Sequence, residues 1–435
     1  MITNIEIKNF KSLREISFDL SNYGEGKNLA LIYGENGAGK SHIISAIYML
    51  LRTFRTLKSE DEVHELNSRG PGIYPELENE EIKYRLKRSN MNLKEIARCS
   101  SSIGSSDDIS ISISFDISGK RGSYSLVFSC EGKVIEESLY FQIGKRRGIL
   151  FKYDESKLFL SPSVFIDKEY KKELLDIHQR YEGNHTFLSL LFSQWIRINQ
   201  DIFENKVSIN LVNVLDYLWG ISVFSEEGKI APRYVPTLTS GYSDYASSLG
   251  LDKMERLLNT YALKLFKDVR RVYYRTSYIG TRMYYELVFV REVGGRVIEI
   301  PYSQESKGIR QMLDYFPYVM SSLLGGISFV DGLDENLHDL VAQELIERIS
   351  ESSAGQIILT THNTRLMQKV DRNYLYILKV DGHGYKQIRS ISSYSFRTQK
   401  NNNVQIKYLH GDYEGIPLIE KLNFKALSSQ IKDSY

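Results

Sequence analysis

The sequence predicts an α/β fold with three parts: a core on buried parallel strands, an antiparallel β lobe, and an inserted helical subdomain. Three observations predict it. First, a glycine-rich loop, GENGAGKS (34–41), follows a short apolar run and precedes a helical pattern. Second, two further short apolar runs, ISFV (327–330) and QIILTT (356–361), lie near the far end of the chain. Such unbroken apolar runs mark strands covered on both faces. Third, ISISISFDI (109–117) alternates strictly, as a half-exposed strand does.

The elements follow in order. Residues 2–7 alternate apolar and polar, and 13–20 read as a second strand. NLALIY (28–33) reads as a buried parallel strand that Gly34 ends. Over 41–54, Ile43, Ile44, Ile47, Leu50 and Leu51 recur at helical spacing. Residues 58–108 are polar and less regular, and SSSIGSSDD (100–108) reads as a loop. Strands then fill 109–151. The pattern over 164–218 is helical, with Phe187, Leu188, Leu190, Leu191 and Trp195 clustered. Residues 226–250, with Pro232 and Pro236, are expected to form a loop, and 251–266 a helix. Strands are expected at 284–290 and 297–300, and helix and strand alternate over 306–423. No internal repeat and no sustained heptad is found.

With 435 residues the chain exceeds the size at which single cores stop growing. The expected division is 1–163 for the first half of the core with the β lobe, 164–270 for the helical insertion, and 271–435 for the second half of the core. A net charge of +2 demands no nucleic-acid or anionic-membrane partner. Two cysteines, Cys99 and Cys130, make neither a disulfide framework nor a zinc ligand set, so a reducing cytoplasm is expected. No apolar signal-peptide core opens the chain and no stretch reaches the length of a membrane span.

The loop carries the chemistry. Gly34, Glu35, Asn36, Gly37, Ala38, Gly39, Lys40 and Ser41 satisfy G-x-x-x-x-G-K-[ST]. Glycines let the backbone N–H groups close on phosphate oxygens, and the following helix adds its positive end. Lys40 supplies a point charge for the β- and γ-phosphates, and the Ser41 hydroxyl suits Mg²⁺. ATP and Mg²⁺ are therefore the expected cofactors. Asp331 closes the ISFV run, where a carboxylate at a strand's carboxyl end can hold Mg²⁺. A helix N-cap aspartate is the plainer alternative for it. His362 follows the QIILTT run, where an imidazole could reach the γ-phosphate, although a lone histidine is more often structural.

With these residues in order, the chain resembles an ATP-binding-cassette-type ATPase of the RecF/SMC/OLD kind. More narrowly, it resembles the compact bacterial AAA family ATPases of phage-defence and abortive-infection operons. The likeness runs through NIEIKNFKSL (4–13), SLVFSCEGKVIEESLYF (125–141), ESKG (305–308), DGLDENLH (331–338), TTHNTRLM (360–367) and YLHGDYEGIP (408–417). It implies a P-loop ABC-type ATPase head that forms a homodimer or higher homo-oligomer around ATP. Ser306 and Gly308 of one copy would cap the γ-phosphate held by the other copy's Asn36, Gly37, Ala38, Gly39, Lys40 and Ser41. Without that resemblance, Ser306 reads as a plain N-cap. Leu337 and His338 fall where the family's subunit-contact loop lies, and His362 matches its switch histidine. The family's strand end carries Asp-Glu, whereas here Asp331 is followed by Gly332, so hydrolysis is expected to be slow or absent. Asp334 and Glu335 lie nearby as substitute bases. No glutamine-bearing loop is legible between the first helix and the sheet lobe.

The resemblance implies an ATP-gated sensor or scaffold of anti-phage defence, acting with a separate effector such as a nuclease or other toxin. The alternative is a DNA-repair or DNA-clamp ATPase. For it, Lys145, Arg146, Arg147, Arg270 and Arg271 could touch nucleic-acid phosphates, although short charge runs are ordinarily solvated surface. A self-contained nuclease ranks last, because the stretch after His362 has no Asp-x-Asp pair for metals.

Overall fold

The computed structural model describes residues 1–60, 91–102, 104–144, 146–155, 157–181, 183–198, 200–233, 235, 239–244, 248–279, 282–333, 339–394, 403–416 and 428. A central sheet gathers the short apolar runs. Five of its strands are parallel: β5 (Leu29–Tyr33), β11 (Ile221–Phe224), β17 (Ile327–Val330), β18 (Gln356–Thr360) and β19 (Leu375–Val380). Their spatial order is β11-β17-β18-β5-β19, with antiparallel β12 (Lys229–Ile230) and β20 (Lys386–Ser390) at the two edges. Every residue of β5, β17 and β18 is buried, which is why these strands read as unbroken apolar runs.

The second sheet is wholly antiparallel. It comprises β1 (Ile2–Phe10), β2 (Leu13–Asp19), β6 (Ile109–Ile117), β7 (Lys120–Phe128), β8 (Val134–Ile143), β9 (Arg146–Asp154) and β10 (Lys157–Leu160), in the order β10-β9-β8-β7-β6-β1-β2. The isoleucines of β6 point inward and its serines outward. A ribbon of β3 (Ser21–Asn22) and β4 (Glu25–Gly26) joins the two sheets. Between them runs α1 (Lys40–Thr53), buried from Ile43 through Thr53 and part of one apolar core with both sheets. Gln356 adds a polar rivet. Its side chain accepts from Ile2 N–H (2.7 Å) and donates to the carbonyls of Ile2 (2.9 Å) and Lys27 (2.8 Å), all buried.

A short helix, α2 (Leu93–Ser100), starts at a capping box of Asn92 and Glu95. The helical stretch contains α3 (Lys168–Arg180), α4 (Phe187–Arg197), α5 (Gln200–Lys206) and α6 (Ile209–Trp219). Phe187, Leu188, Leu190, Leu191 and Trp195 are all buried against the first core. A third sheet holds β13 (Ser240–Asp244), β14 (Val269–Ile279), β15 (Arg282–Val293) and β16 (Arg296–Pro301), with β15 pairing the other three. It packs on α7 (Ser248–Leu265) and α8 (Lys307–Leu323) through Leu258, Leu287, Phe289, Leu313 and Phe316. The helices α9 (Asp339–Ser352) and α10 (Val404–Leu409) complete the described elements.

Two readings change. Residues 226–250, expected as a loop, contain β12, β13 and the first turn of α7. The strand β14 was not anticipated, because its sequence, VRRVYYRTSYI, exposes arginines where an apolar alternation would be looked for. Among the described residues no helix is long and apolar enough to cross a membrane.

Candidate functional site

The carboxyl ends of the parallel strands form one edge, and the glycine-rich loop leaves from it. Gly34 follows β5, and the loop runs into α1 at Gly39, whose φ of 104° is left-handed. A side chain at Gly39 would strain that turn and crowd the Lys386 ammonium, whose nitrogen lies 3.0 Å from the added Cβ position. No side chain caps the N-terminus of α1. Gly39 at the N-cap brings no side-chain acceptor of its own to the first-turn N–H groups, as suits an anion. The Lys40 ammonium is almost fully buried and donates to the carbonyls of Gly34 (2.9 Å) and Glu35 (3.0 Å).

Asp331 follows β17, two strands from β5 in the sheet. Its N–H donates to Phe224 O of β11 (2.9 Å), fixing the turn against that strand. Its Oδ1 accepts from Ser41 Oγ at 3.1 Å and also from Thr360 Oγ1 at the end of β18. Residues 290 positions apart thus bring two side-chain oxygens together. That donor set, hydroxyl plus carboxylate, fits a hard divalent cation. Gly332 is buried with φ 65°, donates to Thr360 Oγ1 (2.8 Å) and accepts from the Tyr315 hydroxyl of α8 (2.8 Å). The residue after the acid thus takes a left-handed backbone conformation that favours glycine.

His362 is exposed beside this edge, and the preceding Thr361 N–H donates to Ile32 O of β5 (3.1 Å). Ser306 is the N-cap of α8, its Oγ accepting from Ile309 N–H at 3.5 Å, and Gly308 lies in the first turn. Asp334, Glu335, Leu337 and His338 lie outside the described residues, as does Lys145. Arg270 and Arg271 meet carboxylates: Arg270 pairs with Glu292 (2.8 Å) and Arg271 with Glu255 (2.9 Å).

Several polar residues at this edge escaped the sequence reading. Glu227, three residues past β11, pairs with Lys11 and accepts from Ser45 Oγ (2.8 Å), one turn along α1 from Ser41. Its other carboxylate oxygen is buried with no hydrogen-bond partner. The signal was the short run ISVF (221–224), similar to ISFV but placed at the end of a helical stretch. On the opposite flank, Ser12 Oγ lies 2.6 Å from His42 Nδ1 and accepts from Lys386. Burial, with Lys11 and Lys386 nearby, lowers the His42 pKa to about 4, so its imidazole is neutral at pH 7. No sequence signal joins Ser12 to Lys386, which lie 374 positions apart.

A strand, glycine-rich loop and helix, joined at a parallel-sheet edge by an acidic strand end, define a P-loop ATPase domain. Within that class the family is also shown. The AAA_21 model, described as "AAA domain, putative AbiEii toxin, Type IV TA system", matches residues 29–368. That is well over half of the chain, and the chain belongs to this family of ABC/AAA-type ATPases of the abortive-infection kind. No curated protein matches it. Among solved structures, it is similar to an SMC head domain from Thermotoga maritima (14% identity, 90% of this chain and 98% of that chain, TM-score 0.37). It is similar to an SMC head bound to the C-winged helix domain of ScpA (14%, 90% and 98%, TM-score 0.43). A third is an Smc head with an extended coiled coil bound to the C-terminal domain of ScpA derived from Pyrococcus furiosus (15%, 90% and 96%, TM-score 0.37). Likenesses this weak say nothing of function.

Proposed function

We propose that the chain binds ATP with Mg²⁺, closes as a head-to-tail homodimer or higher homo-oligomer around it, and serves as the sensor or scaffold of a cytoplasmic anti-phage system that controls a separate effector. The observation that carries the ATP·Mg²⁺ site is the Ser41–Asp331 hydrogen bond, which joins the phosphate loop to the distant acid. In this reading Asn36, Gly37, Ala38 and Gly39 line the cradle, and Lys40 meets the β- and γ-phosphates. Ser41 and Asp331 hold Mg²⁺, the cation supplying charge neutralisation at the phosphates. His362 faces the γ-phosphate. Gly332 cannot orient water, so turnover is slow and rests on Asp334 or Glu335.

Sealing by a second copy has its own support. Tyr315 ties α8 to Gly332, and Ser306 lies nine residues toward the N-terminus of that helix. At 1.5 Å per residue the backbone of Ser306 lies about 13 Å along the helix axis from that of Tyr315. A serine so displaced suits a neighbour's phosphate, and the triphosphate charge is neutralised fully only when both half-sites close. The division at 1–163, 164–270 and 271–435 is part of the proposal, with β11 belonging to the core sheet. The effector role is supported by the abortive-infection family, and control of a nuclease or other toxin follows as the specific reading. A DNA-clamp role draws less support, since Arg270 and Arg271 are engaged by carboxylates.

The test uses purified chain with Mg²⁺ and AMP-PNP in sedimentation velocity. Nucleotide-driven association, lost in Ser306→Ala and in Lys40→Ala, is expected. A persistent monomer at saturating nucleotide refutes sealing by a second copy. Appreciable DNA cleavage by the chain alone refutes the separate effector.

A further inference from the structure

We infer that Arg291 is a positioning residue that neutralises Glu305 from behind and so lets the first turn of α8 receive the terminal phosphate of a nucleotide held by a second copy. This rests on the sealing reading above and deepens it.

Glu305 immediately precedes Ser306, and its side chain is only 4% exposed. One carboxylate oxygen, Oε2, accepts from the Ser306 N–H at 3.2 Å. The other, Oε1, accepts from Arg291 Nε at 2.9 Å. A negative charge therefore lies within one residue of the serine that would meet an incoming phosphate. Left alone, it would repel that phosphate in a setting with little water to screen it.

Arg291 answers this charge. It comes from β15, its side chain is 10% exposed, and its guanidinium also pairs with the half-exposed Asp268. Phe266 and Phe289 flank it, with ring centroids 6.0 Å and 5.8 Å away. One guanidinium nitrogen, Nη2, is buried with no hydrogen-bond partner, so the arginine is not held there by a complete set of acceptors. Burying an ion pair is costly and is weak evidence for a stability role. A role that depends on its charge accounts for both the burial and the position. The third sheet thus sets the sign of the potential at the start of α8.

If charge governs the phosphate site, loss of the two partners has opposite effects. A purely structural ion pair gives them the same effect, because losing either partner would disorder the turn. The experiment measures the dimer dissociation constant of the full chain with Mg²⁺ and AMP-PNP by sedimentation velocity. MANT-ADP affinity serves as the control, since ADP lacks the phosphate in question. Arg291→Met is expected to loosen the dimer by about tenfold or more, and Glu305→Gln to tighten it by about threefold or more. MANT-ADP affinity is expected to stay within about twofold in both. Loosening by both variants, or no change in either, overturns the inference while leaving the sealing reading intact. If Arg291→Met does not fold, Glu305→Gln decides alone: a tighter dimer supports the inference, and an unchanged or looser one overturns it. An unmodified chain that stays monomeric with AMP-PNP removes the sealing reading and this inference together.

Discussion

Replacing Glu137 by glutamine should change how stability depends on pH. Glu137 lies on β8, 1% exposed, and accepts three hydrogen bonds. They come from the Tyr124 hydroxyl (2.9 Å), the Leu188 N–H (2.9 Å) and the Phe187 N–H. The two amides belong to the first turn of α4, where donors lack intrahelical partners, so one carboxylate ties the β lobe to the helical layer. Burial nevertheless raises its pKa from 4.5 to about 7, outweighing those three donors. The folded chain therefore keeps a proton that the unfolded chain releases. The resulting stabilisation is fully present below pH 4.5 and is lost as pH rises through about 7. A separation of that size is worth roughly 3 kcal/mol. Glutamine cannot titrate, and its NH₂ would face the Phe187 N–H, leaving a donor unpaired at a cost of about 1–3 kcal/mol. Urea unfolding of both chains at about pH 5 and about pH 8 gives the test. The stability advantage of Glu137 over glutamine should shrink by roughly 2.5 kcal/mol between the two. An advantage that stays constant would refute the reasoning.

Three further outcomes follow from named contacts. Gly332→Ala should lower stability by about 1–2 kcal/mol in thermal unfolding, because φ is 65° there, and Gly332→Asn by less; equal losses would contradict the backbone argument. Asp331→Asn should bring the ATP affinity measured with Mg²⁺ down to that measured in EDTA while leaving the EDTA value unchanged; a full Mg²⁺ effect in the variant would remove Asp331 from the metal site. Gln356→Ala should cost about 3 kcal/mol in guanidinium unfolding, since it strands one buried donor and two buried acceptors; a loss below about 1 kcal/mol would contradict this.

What was legible in the sequence was what depends on local spacing. The loop at 34–41 and the runs of β5, β17 and β18 stand out because both faces of those strands are buried. The β6 alternation is legible because only one face is. What was not legible depends on contacts between distant segments. Glu227 joins the edge only because β11 slots beside β17, and Ser12 meets Lys386 only because the first hairpin packs near the far sheet edge. The strand β14 buries Val269, Val272 and Tyr274, but its exposed arginines, paired with Glu255, Glu292 and Glu299, break the apolar alternation in the sequence. The Gly332 backbone likewise could not be read from composition, since a glycine after an acid says nothing of its φ.

In the proposed function the glycine-lined loop with its buried lysine grips the triphosphate. Calorimetric titration of ATP·Mg²⁺ into the chain and into Lys40→Ala tests it most directly. Measurable binding to the first and a loss of about tenfold or more in the second are expected. Equal affinity in the two, with both folded, would contradict it.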